Sequence, residues 1–120
     1  MNDVNKEKRE FLRTKVKRLT SIVKHEGVYK LIEEDKISTP TLINVKDIST
    51  GGLRIFSEYE LIKDTFINLT IPNIEMLDSA IVKCKVIRSL FDNDTYDIGL
   101  RFIPPNTDYL KQLVELLKTD

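Results

Sequence analysis

The sequence is poor in the residues that most small enzymes and metal sites are built from. Its 120 residues include one cysteine, Cys84, and one histidine, His25. A single cysteine excludes an internal disulfide framework and suits a reducing compartment. A lone histidine makes neither a catalytic triad nor a zinc site by itself. No run approaches the roughly 18 consecutive apolar residues of a transmembrane helix. Met1-Asn2-Asp3-Val4-Asn5-Lys6 lacks the apolar core of a signal peptide, so a cytoplasmic protein without membrane insertion is expected. There is no glycine-rich phosphate loop and no poised acid/base pair, which argues against an enzyme. Net charge is lacking too: 19 basic residues balance 19 acidic ones. That excludes a chain whose whole surface binds nucleic acid, but leaves room for a local basic patch.

What is present reads as one globular domain. Hydrophobic residues are 41% and charged residues 32% of the chain. At this length a chain buries roughly two thirds of its unfolded surface, enough for a core without staples. The charge is uneven. Residues 1–24 hold eight basic residues against three acidic ones, so the remainder of the chain is acidic. A cationic front end suggests an anionic ligand there.

Residues 1–10 are polar, and residues 1–13 are expected to form a flexible N-terminal segment ahead of a domain spanning 14–120. Short β-rich runs follow with hairpin-like spacing. They are Thr14 to Lys24, Val28 to Ile32, Thr41 to Ile48, Leu53 to Phe56, Phe66 to Ile71, Ala80 to Leu90 and Tyr96 to Phe102. His25-Glu26-Gly27 and Asp92-Asn93-Asp94 read as turns. The latter, with Asp97, lacks the spacing of a calcium loop. This pattern predicts a mainly β fold: a small antiparallel barrel of six to seven strands. Pro104-Pro105 ends the last strand, and Asn106 or Thr107 then caps a helix over about 106–118. Its apolar face is Leu110, Leu113, Val114 and Leu117, with Asp108 and Lys118 placed favourably for the dipole. Cys84, between Val82 and Val86 in an alternating run, reads as a buried packing thiol.

Two motifs carry chemistry. Arg9-x-x-x-Arg13 follows Lys8, and Asp47-x-Ser49-x-x-Gly52 lies in the middle of the chain. Each alone is a common pattern. Asp and Ser cap turn amides, and glycine takes the positive-φ position of such turns.

Together, in this order and within a small barrel pattern, they resemble the PilZ family, bacterial receptors for the second messenger cyclic di-GMP. Asp47-Ile48-Ser49-Thr50-Gly51-Gly52-Leu53-Arg54-Ile55 is similar to that family's motif strand. Ile81 to Arg88 and Tyr96 to Phe102 are similar to its closing hairpin, and the family also ends in a helix. The resemblance covers about residues 8–117.

The resemblance implies a regulatory receptor or adaptor that binds cyclic di-GMP and takes no cofactor. No residue is catalytic and none binds metal. It implies that Arg9 and Arg13 contact the ligand. A planar guanidinium fork matches either a phosphate or the O6 and N7 acceptors of guanine. Asp47 accepts from guanine N–H groups, Ser49 offers a hydroxyl, and Gly52 permits close backbone approach. Lys8 adds charge near a phosphate or a second ligand molecule, and Arg88 is implied as a stacking residue. Ligand would bridge residues 1–13 to the Asp47–Gly52 strand and present a new surface to an unidentified protein effector. Two alternatives remain open at this point. One is a PilZ-like barrel that has lost nucleotide binding and acts through protein contacts. The other is an RNA-binding barrel, against which stands the scatter of Tyr29, Phe56, Tyr59, Phe66, Tyr96 and Phe102.

Overall fold

Successive side chains of a strand point to opposite faces, so apolar residues at every second position close a core on one side. The computed structural model describes residues 14–15, 19–25, 28–33 and 42–117. Its elements are β1 (Thr14–Lys15), β2 (Leu19–His25), β3 (Val28–Glu33), β4 (Leu42–Ile48), β5 (Gly52–Ser57), β6 (Phe66–Ile71), β7 (Ala80–Asp92), β8 (Thr95–Ile103) and α1 (Asp108–Leu117). β5 shows the alternation plainly: Leu53, Ile55 and Ser57 are buried, while Gly52, Arg54 and Phe56 lie on the outer side. Ile98, Leu100 and Phe102 of β8 are buried in the same way.

The strands form one sheet in the order β1-β4-β2-β3-β6-β7-β8-β5, and β4 also pairs with β5. β1 and β2 follow one another along the same edge of β4. The ring therefore runs β4-β2-β3-β6-β7-β8-β5 and returns to β4, the expected PilZ-like barrel. Neighbours are antiparallel except β3 and β6, which pair in parallel through Tyr29↔Leu69 and Lys30↔Thr70. The β7–β8 turn is Asn93-Asp94. Both residues have positive φ, 53° and 63°, which Asn and Asp tolerate better than most side chains.

The helix is capped by Thr107, whose Oγ1 accepts from the Leu110 N–H at 3.1 Å. Asn106 has another use: its φ is 58°, and its own N–H donates to the Thr50 carbonyl at 2.9 Å. Leu110, Leu113, Val114 and Leu117 are all buried in the barrel's core. Tyr109 O–H donates to the Asp78 carbonyl at 3.0 Å, a second tie between helix and barrel. Lys118 lies outside the described residues.

Cys84 is fully buried on β7, and burial pushes its thiol up to about 12. Its reactive thiolate is therefore scarce at neutral pH. In the folded protein Cys84 should resist a water-soluble thiol reagent at about pH 8 and react promptly in denaturant. Leu113→Ala should lower the unfolding free energy by about 2–5 kcal/mol in a denaturant titration, because it opens a cavity where helix meets barrel.

Candidate functional site

Strict alternation would turn two of the candidate site residues inward. On β4, Ile43 and Val45 are buried, so the next position of that parity, Asp47, would join them. The ladder slips there instead: Val45 pairs with Ile55, and the next partners are Asp47 and Arg54. Lys46 is the extra residue, and Asp47 emerges on the outer face with Arg54 while Ile48 is buried. β7 repeats the device. Cys84 and Val86 are buried, Val86 pairs with Leu100, and the next pair is Arg88 with Gly99, leaving Ile87 as the insertion. Two bulges thus re-aim an aspartate and an arginine towards one outer surface of the barrel.

The chain between β4 and β5 is a tight turn closed by reciprocal bonds. Ser49 N–H donates to the Gly52 carbonyl at 2.9 Å, and Gly52 N–H to the Ser49 carbonyl at 3.3 Å. Ser49 Oγ accepts from the Gly51 N–H at 3.1 Å, the turn-capping role open to serine. The turn is pinned to the end of β8 and the start of the helix. Phe102 N–H donates to the Gly51 carbonyl at 2.8 Å, and Thr50 Oγ1 donates to Asn106 Oδ1. The glycines do not take the expected positive φ. Gly52 is required for another reason: a Cβ there would lie 1.9 Å from the Leu100 carbonyl oxygen. Close approach of β5 to β8 admits no side chain at this point.

Beside this turn lies a hollow of about 340 Å³. Ser49, Gly52, Arg54, Arg88, Gly99 and Arg101 contribute to its lining. Two of its cations, Arg54 and Arg88, are held in place by Asp97. That carboxylate accepts from Arg54 Nε at 3.1 Å and Nη2 at 2.7 Å, and from Arg88 Nη2 at 3.2 Å. The Arg54 hydrogen bonds hold Asp97 below its usual carboxylate value against a smaller opposing effect of burial. Arg54 is raised reciprocally, first by the Asp97 bond and further by the charges of Asp97 and Asp47. Both partners are partly exposed, so the pair is worth at most about 1 kcal/mol of stability. Its larger effect is to fix where two guanidinium groups sit.

Lys8, Arg9 and Arg13 lie outside the described residues. The first described residues of the chain lie beside the second motif. Thr14, bonded directly to Arg13, pairs with Ile48, and Lys15 pairs with Asp47. Asp47, Ser49, Gly52 and Arg88 meet on the barrel itself, around or beside the hollow. Arg54, Asp97 and Arg101 join them without having been assigned to the site from the sequence. Arg54 was legible as an outward position two residues beyond Gly52. Its pairing with Asp97 depends on the β5–β8 register, in which Arg54 stands opposite Gly99.

A scan against protein-family models matches the PilZ domain over residues 7–119. The chain belongs to the PilZ family. PilZ domains are regulatory receptors rather than enzymes, and the family is one of cyclic di-GMP receptors. No curated protein and no solved structure matches the chain. Among the described residues of this PilZ domain, no helix is long and apolar enough to cross a membrane. Nor does any group of three or more His, Cys, Asp or Glu side chains among them assemble to hold a metal ion.

The Asp97 clamp makes a pH prediction. A depressed carboxylate contributes stability that is complete above its ordinary value of 3.8 and is lost as pH falls through the lower folded value. Asp97→Asn should therefore cost no more than about 1 kcal/mol at neutral pH. Thermal unfolding of the variant and the native protein should converge as acid protonates Asp97.

Proposed function

We propose that this PilZ domain is a cyclic di-GMP receptor whose ligand bridges Arg9 and Arg13 to the Asp47–Gly52 turn. The β1–β4 pairing is the observation that carries this reading, because it sets the residues following Arg13 beside Asp47. Cyclic di-GMP offers two phosphates and two guanines. Arginine forks suit both the phosphates and the guanine O6/N7 edge. The Asp47 carboxylate suits the N–H groups of the opposite guanine edge. Lys8 adds positive charge on the phosphate side, and Arg88, steadied by Asp97, offers a planar face to a base. Bridging would change the surface shown to an effector protein at this end of the barrel.

The competing reading is a barrel that works through protein contacts alone. Calorimetry with cyclic di-GMP, with GTP and cyclic di-AMP as controls, separates the two. Selective heat with cyclic di-GMP supports the receptor, and absence of heat and of thermal shift supports the contact barrel. Arg9→Ala, Arg13→Ala and Asp47→Ala should each weaken binding by about 1–3 kcal/mol, with little change in unfolding midpoint. Saturating ligand should slow amide exchange across residues 1–13.

A further inference from the structure

On the outer face of the barrel, cross-strand partners form a small lattice. Gly52 stands beside Arg101, which stands beside Lys85. In the next row Arg54 stands beside Gly99, and Gly99 beside Arg88. In the third, Phe56 stands beside Asp97 and Asp97 beside Leu90. Gly99 is therefore the centre of a ring formed by Arg54, Arg88, Asp97 and Arg101, and it carries no side chain.

Nothing in the fold requires glycine there. A Cβ on Gly99 would meet Ile87 Cγ1 at 3.4 Å and Arg88 Cβ at 3.6 Å, ordinary van der Waals contact. Its backbone φ lies outside the left-handed range that favours glycine. Gly52 differs, since its missing side chain is demanded by the Leu100 carbonyl. Glycine inside a strand weakens it and often marks close approach of a ligand or another backbone. Gly99 contributes to the lining of the hollow, to which Ile87 adds an apolar wall.

The cations of the ring are not equivalent. Arg54 and Arg88 are engaged by Asp97. Arg101 is exposed, lines the same hollow and makes no ion pair among the described residues.

We infer that Gly99 is the floor on which one guanine base of the ligand lies flat, with Arg101 as the fork that reads its edge. A flat aromatic ring suits a side-chain-free strand position walled by Ile87. The Arg101 guanidinium presents two donors to adjacent O6 and N7 acceptors. Adenine places an amino donor at the corresponding position and is disfavoured by the same fork. The inference rests on the receptor reading above and names residues of that site beyond the two motifs.

The test is calorimetry with cyclic di-GMP on the full chain, paired with thermal unfolding. Gly99→Val introduces a strand-forming side chain into the hollow. It should unfold no lower than the native protein and lose about tenfold or more in affinity, with Gly99→Ala intermediate. Arg101→Ala should lose about tenfold, and Arg101→Lys should not restore it, because lysine lacks the planar fork. Native-like affinity in both Gly99→Val and Arg101→Ala, while the native chain binds, overturns this inference and leaves the receptor reading standing. No binding by the native chain overturns both. If Gly99→Val fails to fold, Gly99→Ala and Arg101→Ala decide the question.

Discussion

A strand moves a side chain from one face to the other only if its ladder slips by one residue. The candidate site depends on two such slips. Without the extra Lys46, Asp47 would point into the core beside Val45, where an unpaired carboxylate is costly. Without the extra Ile87, Arg88 would follow Cys84 and Val86 inward. Each bulge spares the core a charge and delivers that charge to the same outer surface. Strong burial on both sides of each slip, Val45 and Ile48 on β4 and Val86 on β7, keeps the register from wandering.

The outer surface is organised more than it is stabilised. Asp97 receives three hydrogen bonds from two arginines, yet these groups are too exposed for the cluster to contribute much to folding. What the cluster supplies is geometry. Arginine loses substantial rotamer freedom when it is fixed on a ligand. Asp97 restricts Arg54 and Arg88 beforehand, so less remains to be lost on binding. The Ser49–Gly52 turn is restrained in the same sense, from Phe102 and Asn106. It has no freedom to open without disturbing the end of β8 and the approach to the helix.

Most of the fold was legible because it rests on local periodicity. The alternation along β5 to β8 and the Leu110, Leu113, Val114, Leu117 face of the helix appear in the structure where the sequence predicts them. What was not legible depends on pairing between distant segments. The parallel β3–β6 seam leaves no local mark, and the Arg54–Asp97 pair joins residues 43 positions apart. Bulges are hidden for a related reason. Lys46 and Ile87 are ordinary strand residues, and only the partner strand reveals that one of them is surplus. The structural demand for glycine at Gly52 was hidden for want of the same information. Its neighbour in space is Leu100, which its neighbours in sequence do not disclose.

The charge of the face explains why a receptor site of this kind would be divided between two segments. Around the hollow, Arg54, Arg88, Arg101 and the neighbouring Lys85 are opposed by Asp47, Asp97 and Asp64, leaving a single surplus positive charge. A ligand carrying two phosphates brings two negative charges, and salt screens exposed charges beyond about 8 Å. The barrel supplies shape, a hydrogen-bonding carboxylate and pre-set guanidinium planes. In the receptor proposed above, further positive charge comes from Lys8, Arg9 and Arg13, and β1 sets Thr14 and Lys15 of the chain that follows alongside β4 at Ile48 and Asp47. On the proposed reading neither part binds well alone, because one lacks charge and the other lacks a surface. Affinity then depends on both, which is the coupling that lets a ligand on a barrel report through a terminal segment.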